Sequence, residues 1–141
     1  MHPDLENCKA ILESENLTCV VKRGDKILKT NDRGIKPFMQ WIENGENLKG
    51  AVAADKVVGK AAAFLMEKAG LCAVYAAVLS EPAEAVLKNA GITYRYTHLV
   101  PRIQNRAGDG LCPMESAVMD ADNAESAFLR LKAELLKMQK R

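Results

Sequence analysis

Two short stretches of the chain hold the side chains with the most chemical reach. In Leu111-Cys112-Pro113-Met114-Glu115-Ser116, a proline suited to the first turn of a helix follows a cysteine, which places Cys112 at the N-cap. A thiol there faces the positive end of the helix dipole, and Arg106, six residues earlier, would further favour the thiolate. Glu115 falls on the third helical position, where a carboxylate either carries a proton or satisfies the cap. A nucleophilic cysteine also needs a base within hydrogen-bond reach, and His98 is the nearest histidine in sequence. The second stretch, Asp55-Lys56-Val57-Val58-Gly59-Lys60, lies where a strand hands over to a helix. Open α/β sheets bind ligands at such places, because helix N-termini present free N–H groups beside the carboxyl ends of the strands. Gly59 permits close approach of the backbone, and Lys56 or Lys60 supplies a cation for a phosphate or carboxylate. Both lysines are equally explained as solvated surface charge. Neither a P-loop nor a G-x-G-x-x-G fingerprint is present. Asp55 is either a site carboxylate or a helix-entry residue favoured by the dipole.

Ser80 has a similar ambiguity, an N-cap first and a ligand hydroxyl second. Asn105 and Arg106 stand in the Gly-containing loop Asn105-Arg106-Ala107-Gly108-Asp109-Gly110, the kind of segment in which a rigid scaffold presents binding groups. Metal ligation is poorly supported: His2 and His98 are far apart, and no cysteine pair has C-x-x-C spacing. Three of the four cysteines, Cys8, Cys19 and Cys72, read as small core residues in apolar surroundings.

The elements that must position these groups follow from periodicity and punctuation. Pro3 to about Ser14 reads as a helix with Leu5, Cys8, Ile11 and Leu12 on one stripe. Leu17–Arg23 and Lys26–Thr30, joined by Gly24-Asp25, read as a β-hairpin. A helix opened by Pro37 carries Phe38, Trp41 and Ile42 on one side and closes at Gly45. The small apolar run from Gly50 to Val58 precedes an Ala-rich helix, Gly59 to Ala69. Leu71 to Leu79 is a continuous apolar run, the pattern of a strand covered on both faces. A helix from Glu81 to Ala90 and a strand from Ile92 to Val100 complete a parallel βαβαβ unit, followed by the short helix at Pro113. The final helix, about Asn123 to Lys140, has an apolar stripe of Ala124, Phe128, Leu131, Leu135 and Met138. Such a stripe either packs on the sheet or forms a seam between two copies in a homodimer.

With 141 residues the chain is one domain's worth, 1–141, and large enough to bury a core without staples. At 48% hydrophobic and 27% charged residues, disordered and low-complexity classes are excluded. A net charge of +2 gives no argument for nucleic acid, and no apolar run approaches the ~20 residues of a membrane helix. Neither a nucleic-acid nor a membrane partner is therefore expected. The N-terminus lacks the pattern of a signal peptide, so a cytoplasmic setting with reduced thiols is expected.

The order helix, hairpin, helix, strand, helix, strand, helix, strand resembles the cytidine deaminase-like fold. Asp55-Lys56-Val57-Val58-Gly59-Lys60-Ala61-Ala62, Val74-Tyr75-Ala76-Ala77-Val78-Leu79-Ser80, Asn105-Arg106 and Cys112-Pro113-Met114-Glu115 are similar to a small prokaryotic family of unknown function with this fold. The likeness runs from about Leu5 to Met119. It implies a three-layer α-β-α sandwich whose mixed sheet joins an N-terminal hairpin to the parallel core. Zinc deaminases hold their metal with His-x-Glu at one helix start and Pro-Cys-x-x-Cys at the next. Here those starts read Val58-Gly59-Lys60-Ala61 and Ser80-Glu81-Pro82-Ala83-Glu84, so neither metal nor other cofactor is expected. The resemblance implies a cleft lined by Asp55, Lys56, Gly59, Lys60 and Ser80, with Cys112 and Glu115 from the later loop. Such a cleft would take a small anionic, nucleotide-like ligand. In a catalyst, Cys112 would be the nucleophile, Glu115 the acid/base and Lys60 the electrostatic clamp. The other expectation is a non-catalytic regulatory or interaction module.

Overall fold

A computed structural model describes residues 2–104, 108 and 110–139. Eleven elements follow in order: α1 (Pro3–Ser14), β1 (Cys19–Arg23), β2 (Lys26–Thr30), α2 (Lys36–Glu43), β3 (Val52–Val58), α3 (Lys60–Ala69), β4 (Ala73–Ser80), α4 (Glu81–Asn89), β5 (Thr93–Val100), α5 (Pro113–Ala117) and α6 (Ala124–Gln139). The five strands form one mixed sheet in the order β2-β1-β3-β4-β5. β1 runs antiparallel to both neighbours, with Cys19 opposite Asp55 and Val21 opposite Ala53. β3, β4 and β5 run parallel, so their carboxyl ends share one edge of the molecule.

The sheet buries its two faces unequally. On one side α1 alone places Leu5, Cys8 and Leu12 against Val20, Val52, Ala54, Ala73 and Tyr75. On the other, the remaining helices form the main core around Val21, Ala53, Phe64, Leu65, Val74, Leu87 and Leu131. Ala53 and Val58, five residues apart, both belong to that core, as do Val74 and Leu79. Strict alternation would send them to opposite faces, so it slips once in each strand. The ladder steps there from Asp55–Ala76 to Val57–Val78. The slip turns Val57 and Val78 away from the main core near the carboxyl edge.

Several sequence expectations shift on contact with the structure. β1 begins at Cys19 rather than Leu17, and β4 at Ala73 rather than Leu71. The Leu71 amide closes the preceding helix by donating to the Met66 carbonyl, and Gly70 takes the left-handed conformation that ends it. Cys72 is exposed rather than in the core, its thiol donating to the Gly50 carbonyl, because it precedes the strand. Cys8 and Cys19 are buried as expected. The stripe of α6 does not lie on the sheet: its contacts are chiefly with α3 and α5, which already occupy that face. Ala127 and Leu131 are buried there, Ala124, Phe128 and Leu135 flank them, and Met138 is exposed.

Candidate functional site

The site is built at the amino end of α3. Gly59 is its N-cap and, with no side chain, contributes no capping bond. The orphan amides of the first turn must be satisfied from elsewhere. Glu115 does this from α5: its Oε1 accepts from the Lys60 amide at 2.7 Å and its Oε2 from the Ala61 amide at 2.8 Å. The carboxylate thus occupies the place at which a bound anion would otherwise meet the helix dipole. A Cβ added at Gly59 would overlap Oε1 of Glu115, so the absence of a side chain is what admits the carboxylate. Burial raises the Glu115 carboxyl above its ordinary pKa, while the two amides and the Lys60 ammonium pull the other way.

The Lys60 ammonium donates to the Met119 carbonyl at 2.7 Å. Lys60, Glu115 and Met119 then line a hollow of about 270 Å³ together with Pro82, Leu111 and Arg102. Pro82 comes from the first turn of α4, so the hollow lies between two helix starts at the carboxyl edge of the sheet. Arg102 also lines a second, wider hollow of about 560 Å³ floored by Val57, Val78 and Val100. Sequence reasoning passed over Arg102. Its signal was its position just beyond the carboxyl end of a parallel strand, where ligand sites gather.

The other candidates are distributed more widely. Lys56 reaches away from Lys60, donating to the Asn16 side chain at 2.9 Å. Asp55 Oδ1 accepts from the Val57 amide at 3.2 Å and sits across the ladder from Cys19. Its burial raises the carboxyl to about 7, against the lowering effect of the Val57 amide, the Cys19 thiol and the Lys56 amide. Ser80 is fully buried and its hydroxyl accepts from the Ala83 amide, the N-cap role. Cys112 is the N-cap of α5, half-buried against the main core, and its amide donates to the Ile103 carbonyl. Glu115 therefore caps α3 rather than closing a box with Cys112. His98 is exposed on β5, opposite Val78 in the ladder. Asn105 and Arg106 lie outside the described residues.

Among the described residues, no three His, Cys, Asp or Glu side chains cluster in a way that could hold a metal ion. No helix among the described residues is long and apolar enough to cross a membrane.

Fold and site define an α/β protein with a charged crevice at the carboxyl edge of a mixed sheet. Over residues 7–135 the chain matches the family described as "TM1506: Domain of unknown function (DUF1893)", and it belongs to that family. It is similar to the crystal structure of a DUF1893 family protein (TM1506) from Thermotoga maritima, with 28% identity and a TM-score of 0.84 over 97% of this chain and 92% of that one. A dCMP deaminase from the cyanophage S-TIM5, in apo form, is 12% identical with a TM-score of 0.46 over 68% of this chain and 99% of that one. No curated protein matches the chain.

Proposed function

We propose that the protein binds a small anionic ligand in the crevice between the starts of α3 and α4, with Lys60 and Arg102 rather than a metal as the cationic partners. One observation carries this reading: Lys60, Arg102 and Glu115, from three separate parts of the chain, line a single hollow at the strand ends. Glu115 already satisfies the amides of α3, so the ligand meets the two side-chain cations instead of the helix terminus. A phosphorylated sugar, a nucleotide-like molecule or a carboxylate has the required charge.

Thermal-shift measurements with a panel of these compounds test the reading. A ligand at 100 times its dissociation constant adds about 2.7 kcal/mol of stability, a shift of several degrees for a domain of this size. The stabilisation should vanish in Lys60→Ala and Arg102→Gln. Silence across the panel from folded protein overturns it.

A reactive Cys112 is the catalytic extension of this proposal. Its thiol should alkylate faster than that of the exposed Cys72; slower labelling would remove it as nucleophile. A second reading, an interaction module, draws on α6, where Leu129 and Leu136 are 59% and 50% exposed one heptad apart. It calls for a concentration-dependent mass or a captured partner that is lost in Leu129→Glu/Leu136→Glu.

A further inference from the structure

On the anion-binding reading above, the surroundings of Arg102 also define the chemical class of the ligand. Arg102 borders two hollows of different character. The smaller, about 270 Å³, falls below the roughly 300–1,000 Å³ of sites that enclose a whole small molecule. It has room for a head group. The wider hollow, about 560 Å³, has the valines Val57, Val78 and Val100 as its floor and Arg102 and Gln104 at its polar margin. The slip in strand alternation creates that floor, leaving Val57 46% exposed at a position where a regular strand would bury it. An exposed apolar floor beside a cation suits an amphipathic molecule whose apolar body leaves water as its charge is matched.

The charges decide which anion. Among the described residues that line the head-group hollow, Lys60 and Arg102 bring two positive charges and Glu115 one negative, a balance of one positive charge. A monoanion matches it; a phosphate monoester, with nearly two charges, leaves one uncompensated. We infer that the site takes an amphipathic monocarboxylate, its carboxylate between Lys60 and Arg102 and its apolar chain along Val57, Val78 and Val100.

Calorimetric titration of the full chain with acetate, butyrate, hexanoate, octanoate, hexanamide and inorganic phosphate tests this. Affinity should rise about fourfold per methylene from butyrate to octanoate, at one site per chain, as each methylene leaves water. The slope should flatten in Val57→Ser and further in Val57→Asn, neither of which adds charge beside Arg102, with circular dichroism confirming that both fold. Hexanamide should bind at least tenfold more weakly than hexanoate. Acetate or phosphate binding without chain-length dependence overturns this inference and leaves the anion reading standing. Hexanamide binding as tightly as hexanoate, or no binding of any of these acids to folded protein, overturns this inference, and silence of the nucleotide and sugar-phosphate panel as well overturns the anion reading.

Discussion

The Glu115 carboxylate and the missing side chain at Gly59 are one device. Gly59 has an extended backbone, with φ −99° and ψ −176°, so a larger residue is excluded there by space and not by conformation. Gly59→Ala must displace the carboxylate from the Lys60 and Ala61 amides. We expect it to cost about 1–3 kcal/mol, the range for stranding buried hydrogen-bonding groups. Glu115→Ala should cost a similar amount, and the double variant clearly less than the two together, because the alanine at 59 then meets open space. Additive losses in chemical denaturation would show that the two positions act separately. Asp55 makes a second prediction at this scale. Its folded pKa of about 7 lies above the ordinary 3.8, so the folded state holds the proton more tightly than the unfolded chain. Its contribution is fully favourable below about pH 4 and is lost as the pH rises through 7. Asp55→Asn should therefore gain stability relative to the native chain between those limits, with little difference below them. Parallel stability curves for the two proteins would refute the assignment.

At the scale of elements, the sequence announces what is local and conceals what is remote. Pro3, Pro37, Pro82 and Pro113 all stand in the first turn of a helix, and Gly70 sits just beyond the end of α3. The parallel unit was legible in the charge-free run through β4, and membership of a small family of unknown function in residues such as Cys112-Pro113-Met114-Glu115. That Glu115 caps α3 was not: the resemblance placed it in one cleft with Lys60, but the two lie 55 positions apart and no periodicity connects them. The role of Arg102 was equally remote, since it depends on three strands ending together. That α6 packs on α3 and α5 and not on the sheet was concealed for another reason: a stripe of 3-4 spacing specifies a buried side, not what covers it. In the structure Lys68 bridges to Glu125 and lies over the Phe128 ring, 4.8 Å from its centroid, fastening α6 to α3. Leu131 is fully buried in that contact and Leu129 faces outward. Leu131→Ala should cost about 2–5 kcal/mol, as cavity-forming substitutions do. Leu129→Ala should stay within about 0.5 kcal/mol. Equal effects on the denaturation midpoint would mean that α6 is rotated from this placement.

Across the whole molecule, stability is distributed so that the strand next to the crevice is the least secured of the parallel three. β3 and β4 have a strand on each side and buried residues on both faces. β5 is an edge strand, six of its eight residues are exposed, and it is held by β4 and α4. Its ties include the Tyr94 hydroxyl donating to Glu84 at 2.9 Å and a hydroxyl contact between Tyr75 and Thr97. Local opening draws on elements with few buried apolar contacts, so β5 should open without the rest of the sheet. Native-state hydrogen exchange should show the β5 amides that bond to β4 exchanging well before those between β3 and β4. Equal protection across the three strands would make the sheet a single cooperative unit instead. Arg102 follows β5 by two residues, so a ligand that engages it adds a fastening at the end of this weakest strand. A ligand binding the native form alone suppresses every opening that disrupts its site. Bound ligand should therefore slow exchange most at the carboxyl end of β5, with smaller changes in β2 at the opposite edge. Uniform slowing over both edges would instead place the ligand's effect on global unfolding, and would separate the crevice from the strand that leads into it.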